Sequence, residues 1–189
     1  AQIGVQSALT GHLVLSTLHT NTAAGAITRL EDMGVERYLI TSSVNGVLAQ
    51  RLVRTLCEHC KSPLEVGADY LRETGLQRFV RGDTQQVYQA RGCDRCMQTG
   101  YAGRTGIHEL FLLDDAMHRV IMNGADATVL HAEARRQGMI TLYEDGLRKV
   151  VQGVTSMEEV LRVTQDQSES DATSGAAPPH LESLESASA

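Results

Sequence analysis

Two pairs of cysteines constrain this chain more than any other feature. Cys57-Glu-His-Cys60 and Cys93-Asp-Arg-Cys96 use every cysteine among the 189 residues. Two residues between sulfurs let one tight turn present both thiolates to a single ion, and a second such turn completes a tetrahedron. Four sulfurs leave no open coordination position, so the zinc implied here is structural. His59 lies inside the first turn and is expected to be a bystander. The stretch from Lys61 to Gly92 is longer than a compact zinc ribbon needs, and it is expected to form a small subdomain over residues 57–104. Gly100 and Gly103, just after the second pair, let the backbone fold tightly beside the metal.

The competing readings are two disulfides or unrelated thiols. No basic start followed by an apolar stretch marks a secretory leader, so a cytosolic chain is expected. Reducing conditions there disfavour disulfides. A redox dithiol needs one C-x-x-C near a βαβ start, not two.

Composition narrows the class. With no Trp, two Phe and five Tyr, the core must be built mostly from Leu, Val, Ile and Ala, as in α/β and helical domains. No run of eighteen apolar residues occurs, so any membrane role is expected to be peripheral. The net charge is −6, and its excess lies at one end. Asp166, Glu169, Asp171, Glu182 and Glu185 follow the last arginine, and the rest is near neutral. A nucleic-acid groove usually needs a basic surplus, so that class is disfavoured. Residues 166–189, rich in Ser, Ala and Pro, are expected to form a disordered acidic tail.

Periodicity predicts the end of a helix over 1–11, a buried strand at "HLVLSTL" (12–18), and a helix at "NTAAGAITRLEDMG" (21–34) with Asn21 as cap and Gly34 as stop. A further helix is predicted at "ERYLITSSVNGVLAQ" and a strand at "RLVRTL". This alternation is an α/β pattern, with too few strands to close a sheet. After the cysteine region, which includes a helical insert at "GADYLRETGLQRF", "GIHELFLL" reads as a strand. Helices follow at "DDAMHRVIMNG", "ATVLHAEARRQG", "TLYEDGLRKVVQG" and "SMEEVLRVTQ". The last is capped by Thr155 or Ser156, with Glu158 and Glu159 in its first turn. The four divisions expected are 1–56, 57–104, 105–165 and 166–189.

His12 and His19 flank the first apolar run. On one strand they stand about 23 Å apart at roughly 3.3 Å per residue, too far to share a metal or a proton. His19 falls at the C-terminal edge, where open α/β sheets bind ligands. A neutral imidazole there, beside Thr17 and Thr20, suits a phosphate oxygen or an attacking water. A hydrogen-bonded structural histidine fits the same spacing, and spacing alone leaves both readings open.

Resemblance adds what spacing cannot. "TGHLVLSTLHTN" resembles the His box of the secretion and type IV pilus assembly ATPases, a hexameric RecA-like family. The likeness continues through "TRLEDMGVERYLITSSVNGVLAQRLVRTLCEHCK", "GCDRCMQTGYAGRTGIHEL" and "DGLRKVVQGVTSMEEVLRVT", covering residues 1–165. The cysteines and the closing motif most resemble the type II secretion ATPase, and pilus-extension ATPases are close relatives. The resemblance implies a RecA-like core (1–56), a zinc subdomain and a C-terminal helical bundle. It implies that His12 and His19 are the box histidines, with His19 sensing the γ-phosphate, and that Cys57, Cys60, Cys93 and Cys96 are zinc ligands. Arg51, in a segment near the nucleotide, either faces phosphates or pairs with an acid. Thr22 departs from the acid common after that Asn, which weakens a helix-start charge.

The family's ATP and Mg²⁺ are held by Walker A and Walker B segments, with arginine fingers also upstream. No G-x-x-x-x-G-K-[ST] occurs in these residues. The chain is therefore expected to be a C-terminal piece, inactive alone, of a homo-hexamer at the inner membrane. That parent would couple hydrolysis to pseudopilus assembly through platform proteins. A stand-alone zinc-ribbon binding module is the alternative of a different class, and a catalytic zinc site is a weaker third. Other motifs read as structural. His108 and Glu109 alternate on a strand, one in and one out. Met33, Met97, Met117, Met122, Met139 and Met157 are scattered and read as core filler.

Overall fold

A computed structural model describes residues 1–165; the expected disorder of 166–189 lies outside the described residues. Three short helices, α1 (Gln2–Leu9), α2 (Gly25–Asp32) and α3 (Arg37–Ser43), precede strand β1 (Gly46–Leu56). Then come β2 (Ser62–Val66), α4 (Ala68–Thr74), a 3-10 turn at Leu76–Arg78 and β3 (Gln85–Gln89). Strand β4 (Tyr101–Leu112) leads into α5 (Asp115–Met122), α6 (Ala127–Arg136), α7 (Leu142–Val151) and α8 (Met157–Gln165). The fold is mixed α/β. Its strands make two antiparallel pairs, β1 with β4 and β2 with β3.

The long β1–β4 ribbon organises the molecule. Its register sets Val47 opposite Phe111, Ala49 opposite Glu109 and Arg51 opposite Ile107. Alternation turns Val53, Ile107, Glu109 and Phe111 inward. The other face carries Leu48, Leu52, Leu110 and Leu112, each more than half exposed.

Two larger cores form among the described residues, beside a small one of Val53, Ile107 and Leu142 at the ribbon. In one of the larger cores, Ala23 and Ala24 before α2, Ile27 on it and Ile40 on α3 meet Phe111, Met117, Ile121 and Leu130. In the other, Val66, Leu71, Leu76 and Val87 of the cysteine-bounded insert pack on Leu147, Val150 and Val160 of α7 and α8. Close approach there requires Gly146, since a Cβ would sit 2.6 Å from Val160 Cγ1. Burying each large aliphatic side chain contributes roughly 1.5–3 kcal/mol.

The C-terminal helices form where periodicity predicts them, each with a side-chain cap. Asp114 caps α5 through the Met117 amide, Asp126 caps α6 through the Val129 amide, and Thr141 with Glu144 forms a capping box on α7. Ser156, not Thr155, caps α8 by accepting from the Glu159 amide at 3.2 Å. The Thr155 hydroxyl instead donates to the Arg54 carbonyl.

Elsewhere the structure corrects the sequence reading. The strand expected at 12–18 does not form: residues 12–20 have no regular structure, and Leu13 and Leu15 are 84% and 86% exposed. A strand exists through its neighbour's amides and carbonyls, and among the described residues none lies beside this segment. The helix expected to reach Gln50 ends at Ser43, and β1 begins at Gly46. Asn45-Gly46 is a break signal, and pairing with β4 outweighs weak helical propensity beyond it. Asn21 is not the N-cap residue of α2; Thr22 Oγ1 instead accepts the Gly25 amide at 3.1 Å. The strand expected at 106–113 begins earlier, at Tyr101. Strands β2 and β3 were not anticipated. Met33, Met97 and Met122 lie on the surface rather than in a core, whereas Met117 and Met157 are buried.

Candidate metal centre

The chain crosses between its two sheets twice, and each crossing carries a cysteine pair. Cys57 and Cys60 join β1 to β2; Cys93 and Cys96 join β3 to β4. Antiparallel pairing brings the two crossings together, with the Cys57 amide donating to the Gly100 carbonyl at 2.9 Å. The four sulfurs lie within 4.8 Å of one another.

Their geometry fits one ion. Cys57–Cys93, Cys60–Cys96 and Cys93–Cys96 sulfurs are 3.9, 3.8 and 3.7 Å apart. A metal–sulfur bond of about 2.3 Å puts the corners of a regular tetrahedron about 3.8 Å apart. All four cysteines are free of disulfides, which removes the disulfide reading. His59 is exposed and is not in the cluster. Its ring meets Arg95 Nη1 from the opposite turn, 2.8 Å from Nε2.

Backbone amides prepare the sulfurs for charge. The amides of Cys93 and Gly100 both donate to Cys96 Sγ at 3.2 Å. Burial pushes the Cys96 thiol up, but these donors outweigh it and its pKa falls to about 6. Burial pushes Cys60 up to about 11, against the Gly92 amide and with the neighbouring sulfurs. A bound cation would favour thiolate at all four sulfurs. The turn needs glycine at Gly100, where φ is +76° and a Cβ would lie 2.5 Å from Ala90 Cβ.

The C-terminal helix is fastened beside this centre. The Glu159 side chain is fully buried. Its carboxylate accepts the Arg54 amide at 3.0 Å and the Arg54 guanidinium at 2.9 and 2.7 Å. Arg162 adds contacts of 2.9 and 2.6 Å. Burial alone would raise the Glu159 pKa; the Arg162 and Arg54 donors reverse that and hold it at about 2. Arg54 also lies over the Tyr101 ring, 4.0 Å from its centroid, and the Tyr101 hydroxyl is 2.7 Å from Ser156 Oγ. The sequence marked Glu159 only as a first-turn acid, and no local signal reveals a partner so distant in the chain.

The remaining sequence-designated residues are dispersed. His12 is exposed, its Nδ1 3.1 Å from Thr10 Oγ1 and 3.2 Å from the Ser7 carbonyl. His19 is exposed on the irregular segment. Arg51 is exposed on the ribbon face that also bears Val53 and Ile107, without an ion pair among the described residues. The structure therefore assembles the cysteines but brings neither histidine nor Arg51 to them. His108 and Glu109 do divide in and out: His108 is exposed, while Glu109 is buried.

No helix among the described residues is long and apolar enough to cross a membrane. The sequence profile of the type II/IV secretion system protein family matches residues 1–162. The chain is 52% identical over 166 residues to the type II secretion system ATPase E of Vibrio cholerae, covering 88% of this chain and 32% of that protein. It is 51% identical over 167 residues to the type II secretion system protein E of Pseudomonas aeruginosa, at the same coverage. Against the type IV pilus assembly ATPase PilB of Thermus thermophilus it is 51% identical over 165 residues, or 87% of this chain and 18% of that protein. The chain thus spans about a third or less of these relatives' lengths, and with the family profile matched over residues 1–162 it belongs to the type II/IV secretion system protein family.

Proposed function

We propose that this chain is the C-terminal portion of a RecA-like motor ATPase that powers pseudopilus assembly in type II secretion. The observation that carries this reading is its half-identity, over 88% of its length, to secretion ATPases. In this reading residues 1–56 complete the nucleotide-binding core, and the helices after β4 form a C-terminal bundle. The motor is a homo-hexamer in the cytoplasm, held at the inner membrane by platform proteins, with no nucleic-acid partner. Because no G-x-x-x-x-G-K-[ST] stretch lies among the 189 residues, this chain alone turns over no ATP.

Cys57, Cys60, Cys93 and Cys96 would hold zinc, which supplies a tetrahedral clamp and no reactive position. The amides of Cys93 and Gly100 stabilise thiolate at Cys96, and the clamp fixes the strand crossings against α8. In the complete motor His19 would donate or accept a hydrogen bond at the γ-phosphate or the attacking water, His12 would space the segment, and Arg51 would either face the phosphates or pair with an acid. ATP and Mg²⁺ are the cofactors of that motor.

The test is made in an enzyme spanning the relatives' full length. His19→Ala should lower ATP turnover while zinc stays at one per chain. Unchanged turnover removes the sensor role, and absence of metal in protein purified without chelator removes the clamp. The 51% identity to a pilus assembly ATPase favours a second reading, pilus extension. Complementation separates the two, since a secretion motor restores export and a pilus motor restores piliation.

A further inference from the structure

Buried carboxylates hold this fold together in three places. Glu144 binds Arg78 and Arg135, and Glu159 binds Arg54 and Arg162. Glu109 is different, because it reaches the segment that bears His19. It stands on β4 opposite Ala49 and is 3% exposed. Its Oε1 accepts the Ala23 amide at 3.1 Å, and its Oε2 lies 3.7 Å from His131 Nε2 on α6. The Leu142 backbone, at the start of α7, also favours its charged form. Burial would raise the Glu109 pKa, but His131 and the two backbone groups outweigh it and the pKa is lowered.

Three observations link this carboxylate to His19. Ala23 and Ala24 have no exposed surface, and their short side chains let the backbone lie against the strand. Residues 20–25 are stiffened by Thr20 Oγ1 donating to the Thr22 carbonyl at 3.0 Å and by the Gly25 amide on Thr22 Oγ1. His19 directly precedes that turn, whereas Leu13 and Leu15 further back are open to solvent. A hydrogen bond to a charged acceptor is roughly twice as strong as a neutral one, and here the Ala23 amide donates to a buried carboxylate.

We propose that Glu109 is a positioning residue: by binding the Ala23 amide, steadied by His131, it sets where the turn bearing His19 stands relative to β4. The functional consequence rests on the sensor reading of His19; the anchoring itself does not. Glu109→Gln keeps the shape but turns an NH₂ group toward N–H donors.

Two measurements test this. In the 189-residue chain, Glu109→Gln should speed amide exchange at Ala23 by about tenfold, with His131→Ala giving a smaller rise and α7 and α8 unchanged. Wild-type protection at Ala23, or equal acceleration throughout α7 and α8, overturns the anchor. In the full-length motor, Glu109→Gln should lower kcat about tenfold with KM changed by less than about twofold. Its loss should not multiply with that of His19→Ala. Multiplying losses overturn the positioning role. If His19→Ala alone leaves turnover intact, the sensor reading fails, and the exchange experiment still decides whether Glu109 anchors the turn.

Discussion

Residues 46–165 and residues 10–22 both carry side chains that the sequence marks for chemistry, but they differ in how much of the site they build. Around the metal centre, two strand crossings supply four sulfurs, amides to charge them, and a buried Glu159 clasp within reach. Along residues 12–20 there is no ladder, Leu13 and Leu15 face solvent, and both histidines are exposed. The contrast teaches that a tetracysteine cluster assembles from residues 57–96 alone. A phosphate sensor on a strand edge depends on strands that other parts of a sheet provide.

Metal removal should separate the two regions most sharply. A chelator, or Cys93→Ser, is expected to unfold residues 57–104 and free α8, at a cost on the order of 10 kcal/mol of metal-coupled folding. Exchange at residues 12–20 should barely change. Metal stoichiometry and amide exchange read both effects, and equal loss in the two regions would break the comparison.

Glu159→Gln comes next. It strands Arg54 and Arg162, which are partly exposed and can rehydrate, so a destabilisation of about 2 kcal/mol is expected rather than the 3–5 of a fully enclosed pair. Thermal melting checks it, and a shift no larger than that of a surface control would remove the clasp.

Acid provides a third way to sharpen the contrast. The Glu159 pKa is depressed from 4.5 to about 2, and those of Glu109 and Glu144 are lowered too. A depressed carboxylate contributes stability that is full above its unfolded value and fades as pH falls through the folded one. Loss of α8 docking is therefore expected as pH falls from about 4.5 toward 2, and Glu159→Gln should shrink that slope. Stability that is flat across this window would contradict the assignment.

The smallest effect belongs to the open segment. Leu13→Ser and Leu15→Ser should change the melting free energy of this chain by no more than about 0.5 kcal/mol. A larger loss would mean that the segment is packed in solution.

Local signals carried the C-terminal half. The helices that periodicity predicts there form, and the structure adds Asp114, Asp126 and Thr141 as their caps. The C-x-x-C spacing marked sulfurs that the structure brings together. Sequence reading failed where a partner decides the state. "HLVLSTL" has a strand's composition but no strand beside it among the described residues, and Gly46 to Gln50 became strand because β4 pairs with it. Strands β2 and β3 were hidden by Pro63 and by a run of glutamines, and Val66 and Val87 gave too short an alternation to announce them.

The sequence alone determined the four sulfurs, the C-terminal helices and the family, because each is written in short-range spacing, in periodicity or in resemblance along most of the chain. Tertiary structure alone decided that Glu159 clasps Arg54, that Glu109 holds the Ala23 amide, and that one apolar run lies open. Those outcomes depend on which distant groups arrive within 3 Å or so of one another, and the desolvation that gives such contacts their strength exists only once the chain has closed around them.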